Sequence, residues 1–447
     1  MPWFSSRPAF RDLAFALGLV LALAAGVSAQ PKEPKVIPPK EPKATLPAPA
    51  PLAFPAPTVN GNGTVVTRYS LGEALAIGHE KHPTLAAMKA SMNAALLKAR
   101  GLGEVKRMAQ FITPDIEFRE QQSDLGLKAA MAEYESAQHE VTYAVVRCYF
   151  TVVYAREQGK VAKELVEQLE ANLEQVRKIV EGKGGGVKGI SQDTVDRLVV
   201  VVGEARRNMN KATFGTVRAK AALREAMGLD PIYEVDVADE MLPEIRAEIK
   251  RDTVVAHAVT RRGEIMLTQM GVDVTRLEAC AQWARTFNLT AYTYAIAGDI
   301  HAKPVPAAQR DPDYKPGAIG PEMPARLVGK AGTRSDTAKQ YAIRSEASAV
   351  QARSIIGLEA AVSHSRWLEA TENVKGAKVA AKHGRDLIER QRLAAGGTLS
   401  KEDVLMNEVA ATRAIASLNE ALWEQIIELA NLERITAGGV KVNFPGR

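Results

Sequence analysis

The 447-residue sequence predicts a mainly α protein built from internally duplicated, long coiled-coil helical hairpins, with a small, degenerate β-strand portion. Three observations lead there. From Leu125 to Leu229, small or apolar residues recur at alternating steps of four and three: Val141, Val145, Cys148, Val152 and Ala155, then on to Val176 and Val180. That is a coiled-coil period, and sustained at 3.5 residues it implies left-handed supercoiling. The pattern returns from Leu198 to Ala226 after a break at Gly-Lys-Gly-Gly-Gly-Val-Lys-Gly, so the stretch folds back on itself. The same plan restarts after residue 252, and at its turn Leu399-Ser400-Lys401-Glu402-Asp403-Val404 matches Ile190-Ser191-Gln192-Asp193-Thr194-Val195. An arm of roughly fifty residues is on the order of 80 Å long, and such a rod needs neighbours along its whole length.

Residues 1–29 place Arg7 and Arg11 ahead of the apolar run Leu13–Gly26 and end on Val27-Ser28-Ala29. This is the pattern of a cleaved export signal. Gln30 rather than cysteine follows the cut, which argues against a lipid anchor there. Residues 30–67 read as a proline-rich tether. Six basic residues (Arg7, Arg11, Lys32, Lys35, Lys40, Lys43) face three acidic ones (Asp12, Glu33, Glu41) before Pro57, so half of the formal +6 lies outside the predicted folded part. The remainder has no basic cluster of the kind nucleic acid demands.

The first repeat spans 68–231. Ser70 with Glu73 is a capping box that starts a helix, and Pro83 restarts it after His82. Residues 108–123 lose helical periodicity, and Ile116 and Phe118 alternate with charged neighbours, enough for one short strand. The long hairpin follows, with its tip turn at 182–191, and Gly228 and Pro231 close the repeat. Residues 232–251 read as a connector. The second repeat, 252–439, has Gly263 in place of Pro83. Its strand and loop region is 286–333, with a good alternation from Phe287 to Ile300 and a proline- and glycine-rich loop from 301 to 333. Two helical arms and a tip turn at 394–400 complete it, and 440–447 is a tail. The last arm carries two adjacent seams, one through Val409, Ala416, Trp423 and Ile426, the other through Ala411, Ile415, Leu422 and Leu429; two seams give a helix two partners.

Cys148 and Cys280 both fall in helical patterns, and we expect two unpaired, buried thiols. His79 and His82 lie three apart without a third ligand, so a surface pair is expected and no metal. Paired catalytic carboxylates and a strand-to-helix phosphate loop are missing, since Gly184, Gly185 and Gly186 join two helices instead. No enzyme activity and no cofactor are expected.

YSLGEALAIGHEKHPTLAAMKASMNAALLKAR, the pair Tyr149-Phe150 in the first long arm, the turn with Ser191-Gln192-Asp193, its partner Gly396-Gly397-Thr398-Leu399-Ser400 and the twofold repeat together resemble the TolC-type outer-membrane efflux proteins. The resemblance covers nearly everything after Thr67. It implies a homotrimer whose helices form a periplasmic tunnel, continued by a β-barrel through the outer membrane, with a periplasmic adaptor and an inner-membrane pump as partners. The chain would be the passive channel of a tripartite efflux or secretion system. Carried over, Gly184, Gly185, Gly186, Ser191, Gly396, Gly397 and Ser400 would form the docking tip, with Asp193, Glu402 and Asp403 at the aperture; ordinary helix capping is the competing reading for those acids.

The sequence departs from the family at the barrel. Each half of a family member supplies two spanning strands, and a spanning strand takes about nine to eleven residues. Residues 108–123 do not hold two with a turn, Pro316, Pro321 and Pro324 interrupt the second pair, and Tyr292 and Tyr294 are nearly alone as aromatic girdle. A periplasmic structural or interaction protein of the same family, with a reduced or lost barrel, is therefore the alternative function.

Overall fold

The computed structural model describes residues 67–109, 113–181, 192–293, 323–393 and 401–447. The export signal, nearly all of the tether and both tip turns lie outside the described residues. The chain divides into units 1–56 and 57–447, and every described residue belongs to the second.

Among the described residues, this unit has eight helices and four short strands. Helices α1 (Leu71–Lys81), α2 (Pro83–Ala109), α3 (Ile116–Val180) and α4 (Gln192–Ala226) form the first half. Helices α5 (Arg251–Arg261), α6 (Gly263–Ala284), α7 (Ala331–Leu393) and α8 (Lys401–Ile435) form the second. The lengths repeat, with 65 and 63 residues in α3 and α7 and 35 residues in each of α4 and α8. At about 1.5 Å per residue α3 is on the order of 100 Å long. The fold class is thus as the periodicity predicts: duplicated long helical hairpins with very little strand.

Local chemistry sets the helix boundaries. Ser70 donates its backbone N–H to Glu73 Oε2 at 2.8 Å while its Oγ accepts from Glu73 N at 3.3 Å, closing the capping box. His82 ends α1 in extended backbone, and Pro83, which needs no N–H partner, opens α2. In the second half Gly263 takes that place because the chain passes close to α3: a Cβ there would lie 2.8 Å from the carbonyl oxygen of Ala132.

The two halves end α4 and α8 with the same reverse turn but different residues. Gly228 N bonds Glu225 O at 2.8 Å and Leu229 N bonds Arg224 O at 3.0 Å, a Schellman motif with Gly228 at φ +67°. After α8, Ala437 N bonds Arg434 O at 3.0 Å and Gly438 N bonds Glu433 O at 2.9 Å, which puts alanine at φ +47° in the left-handed position. A Cβ there is penalised by roughly 1–2 kcal/mol. Ala437→Gly is therefore expected to stabilise the fold by about 1 kcal/mol, read as an upward shift of the thermal or urea midpoint; an unchanged or lower midpoint would contradict this account.

The coiled-coil seam is buried over most of its length. Val166, Leu169, Leu173 and Val176 of α3 pack against Val195, Leu198, Val202 and Ala205 of α4. Val180, at the end of the row, is 37% exposed, so the seam loosens toward the tip. A larger core surrounds Tyr149 and Phe150, both fully buried, whose rings meet edge-on at 5.4 Å. The tail belongs to this core: Phe444 sits 5.7 Å from the Phe150 ring, and Gly446 O accepts from Gly72 N at 2.7 Å.

Four readings need correction. The strand expected within 108–123 is absent from the described part: Ile116 starts α3, because Asp115, Arg119 and Gln122 pair at helical spacings, Arg119 Nε with Asp115 Oδ2 at 3.0 Å and Arg119 Nη1 with Gln122 Oε1 at 2.9 Å. The connector 232–251 holds a strand, β2 (Val235–Val237), pairing in parallel with β1 (Thr67–Tyr69); Thr67 is thus a strand residue and not tether. Within the predicted loop 301–333 lies β4 (Arg326–Val328), antiparallel to β3 (Thr290–Tyr292), and α7 begins at Ala331. Both thiols are unpaired, but Cys280 is exposed, while Cys148 is partly buried and desolvation pushes its pKa up to about 11.

Candidate functional site

Three surfaces are available: the tip of the hairpins, their long edges, and the end opposite the tip. Of the predicted tip residues, Gly184, Gly185, Gly186, Ser191, Gly396, Gly397 and Ser400 lie outside the described residues. Asp193 is exposed in the first turn of α4, where its charge faces the positive end of the helix dipole. Glu402 and Asp403 stand in the first turn of α8, with their side chains outside the described set. Asp193, Glu402 and Asp403 thus all stand in the first turns of helices.

The edges are better defined. Helix α4 packs against α3, α3 against α8, and α8 against α7. The two seams of α8 are thus both filled inside one chain, one by α7 and the other by α3, the two partners that adjacent seams predict. The unfilled surfaces are the outer helices. Val200 (63% exposed), Phe214 (62%) and Val217 (61%) run along α4, Val379 (59%) lies on the stretch of α7 beside α8, and Ile343 (57%) and Val350 (69%) lie on the stretch of α7 beside α6. Phe214 lies two heptads after Val200, and Val350 one heptad after Ile343, so each row keeps to one side of its helix. The sequence reading missed these rows because it followed the inner seams.

At the end opposite the tip, charge is buried. Arg119 binds Glu278 through Nη1 to Oε2 at 2.5 Å and Nη2 to Oε1 at 3.0 Å. Glu278 also accepts from Gln122 Nε2 at 3.0 Å and Gln282 Nε2 at 2.8 Å. Asp115 takes Arg285 Nε at 2.8 Å as well as Arg119, tying the start of α3 to the end of α6. Burial alone would raise the Glu278 carboxyl; the hydrogen bonds and charge of Arg119, with the two glutamines, outweigh it and hold the pKa below the usual carboxylate value. Fully buried Arg334 donates to the carbonyls of Arg285 at 2.6 Å, Gly329 at 2.5 Å and Asn288, clamping the turns on either side of β3 and β4.

Only residues 110–115 separate α2 from α3. Six residues reach at most about 20 Å, whereas two spanning strands need roughly twenty residues plus a turn. The first half therefore supplies no membrane-spanning hairpin between these helices. Among the described residues no helix is long and apolar enough to cross a membrane, and no group of three or more His, Cys, Asp or Glu is arranged to hold a metal ion. His79, exposed, bonds Thr142 Oγ1 at 2.8 Å through Nε2, with His82 at the end of α1. A cavity of about 220 Å³ between Glu135, His139, Arg261 and Ala437 is smaller than usual small-molecule sites.

A chain of paired antiparallel hairpins in this order defines a class: its fold is that of the TolC-type outer-membrane efflux channels. The outer-membrane channel OprN superposes with a TM-score of 0.63 at 15% identity, over 83% of this chain and 90% of that one. The CmeC outer-membrane channel of Campylobacter jejuni gives 0.61 at 12% identity, over 84% and 87%. The outer-membrane protein VceC of Vibrio cholerae gives 0.60 at 13%, over 82% and 96%. No protein-family model matches the sequence, and no curated protein matches it significantly.

Proposed function

We propose that this protein is the outer-membrane channel component of a tripartite efflux or secretion system, a passive conduit for small molecules or ions that performs no chemistry. The observation that carries this reading is the strip α4–α3–α8–α7, with exposed apolar side chains on both free edges, Val200, Phe214 and Val217 on α4 and Val379 on α7. Such a strip is completed when α4 of one copy meets α7 of the next, a head-to-tail contact that closes into a ring under rotational symmetry. Three copies is the number the family resemblance implies. On this reading the protein is exported, the hairpins stand in the periplasm, and the turns 182–191 and 394–400, with Asp193, Glu402 and Asp403, dock a periplasmic adaptor served by an inner-membrane pump. The likeness to solved outer-membrane channels supports the same direction.

The six-residue α2–α3 link favours a second reading, a periplasmic structural or interaction protein of the same fold with a reduced barrel. Membrane fractionation with sizing in detergent, followed by conductance measurement in planar bilayers, separates the two. The conduit reading expects a trimer in the outer-membrane fraction and discrete conductance steps. A trimer without conductance supports the second reading, and a soluble monomer sinks the first.

A further inference from the structure

We infer that residues 436–447, which follow α8, form a strap that mild acid unlatches, as a protonated His139 displaces Arg447 from Glu433. The inference concerns the single chain and does not rest on the conduit reading. The strap is seated in the core, with Val442 and Phe444 buried and Phe444 against Phe150. It also ties the two halves together. Gly446 O accepts from Gly72 N of α1 at 2.7 Å, while Arg447 Nη1 binds Glu433 Oε2 of α8 at 2.7 Å and Val442 O at 3.3 Å. Histidines stand where the strap turns. A Cβ on Gly438 would come 3.2 Å from His139 Cε1 of α3, and one on Gly439 2.7 Å from His257 Cγ of α5, so the backbone lies directly on both side chains. His79 of α1 is the third: its Nε2 donates at 2.8 Å to Thr142 Oγ1, whose own hydrogen goes to Gln138 O at 2.9 Å.

Each element packed here brings charge. Glu135 and Glu140 of α3 and Glu433 of α8 act on His139, and Arg261 of α5 lines the same cavity. Arg434 of α8 is engaged elsewhere, by Glu140 and Glu359, above the Tyr143 ring. With the strap down, burial lowers the His139 pKa, and the three carboxylates do not make up for it. His79 is lowered too, by the covering of part of its ring and then by Arg447 and His139. Lifting the strap uncovers His139 and carries Arg447 away, so the lifted state binds protons more tightly. As pH falls below the ordinary histidine value of about 6.5, the latched state loses stability relative to the lifted one, until pH has passed the lowered pKa of the latched state. Glu433, freed by Arg447, then faces the His139 imidazolium.

The test is hydrogen exchange read by mass spectrometry on the full chain, with each rate corrected for intrinsic exchange at its pH. Measurements at about pH 7.5 and about pH 5.5 both lie above the ordinary carboxylate range. Between them, wild-type protection of residues 438–447 should fall at least roughly threefold, while residues 166–176 in the α3–α4 seam keep theirs. His79→Gln with His139→Gln removes both titrating rings and should hold the strap's protection level across the same range. Gly439→Ala, which drives a Cβ onto His257, should lower protection at both pH values. Wild-type protection that stays flat overturns the inference. So does a double variant that falls as the wild type does, or a Gly439→Ala strap as protected as wild type. Sizing at both pH values is the control, and a fall that appears only with dissociation of copies also overturns it. Should the double variant lose its helical circular dichroism, His79→Gln alone decides: a smaller fall than wild type supports the latch, and an equal fall overturns it.

Discussion

Replacing Val200 and Phe214 together by aspartate is expected to abolish assembly while leaving the folded chain intact. Both side chains project from the outer edge of α4, at 63% and 62% exposure in the single chain, away from the seam with α3. Substitutions at such surface positions usually change monomer stability by no more than about 0.5 kcal/mol. In a closed ring each would be buried against the neighbouring copy, where withdrawing a Val or Phe from water contributes roughly 1.5–3 kcal/mol per side chain, and a buried unpaired carboxylate adds a further penalty. Repeated at every junction, the change weakens association by several orders of magnitude. Sedimentation in detergent should show the double variant as a single chain with wild-type helical circular dichroism. A double variant that keeps the wild-type sedimentation coefficient would remove the α4 edge from the interface. Leu198→Asp is the contrast: Leu198 is 4% exposed in the intramolecular seam, and there the helical signal itself should fall.

Glu278→Ala should be the most destabilising single change at the end opposite the tip. It removes the partner of Arg119, whose guanidinium bridges α3 to α6, and it leaves Gln122 and Gln282 without their shared acceptor. Breaking one side of a buried ion pair is worth about 3–5 kcal/mol, and the loss here falls toward the lower end because Arg119 keeps its pair with Asp115 at 3.0 Å. The double change Arg119→Met with Glu278→Leu deletes both charges and should recover most of that loss, since apolar replacement of a buried pair is often close to neutral. Acid provides an independent check. The folded pKa of Glu278 lies below its ordinary value of 4.5. The stability it contributes is therefore present above that value and is lost as pH falls through the folded pKa. Urea midpoints followed down through this window should decline in the wild type and decline less in Glu278→Gln. A Glu278→Ala protein with a midpoint close to wild type would show that the network does not hold the two hairpins together.

The inner seams, the capping box at Ser70, the Pro83 and Gly263 breaks and the reverse turn at Gly228 were all legible in the sequence, because each is a local rule acting over a few residues. The strand reading of 108–123 failed for the complementary reason. The alternation of Ile116 and Phe118 is weak local information, and the helix there, already favoured by the pairs of Arg119 with Asp115 and Gln122, is held in place by Arg119 and Asp115 pairing with Glu278 and Arg285, more than 150 residues further along. Strands β1 and β2 were missed likewise, since three residues carry no readable period and their pairing joins Thr67 to Val235 across most of the first half. For the candidate surfaces, helical spacing reveals that a residue is apolar, but not whether the neighbour that covers it is in the same chain.

By itself the sequence determined the helices, their heptad seams, their duplication and the residues that begin and end most of them, because backbone propensity, capping and periodicity are local. Only the tertiary structure decided that α8 fills both of its seams within the chain, that the open edges are those of α4 and α7, and that a buried charge network closes the end where residues 110–115 are too few for a barrel hairpin. The physical reason is that burial and desolvation depend on what stands opposite a side chain in space, and that is set by contacts between residues far apart in the chain.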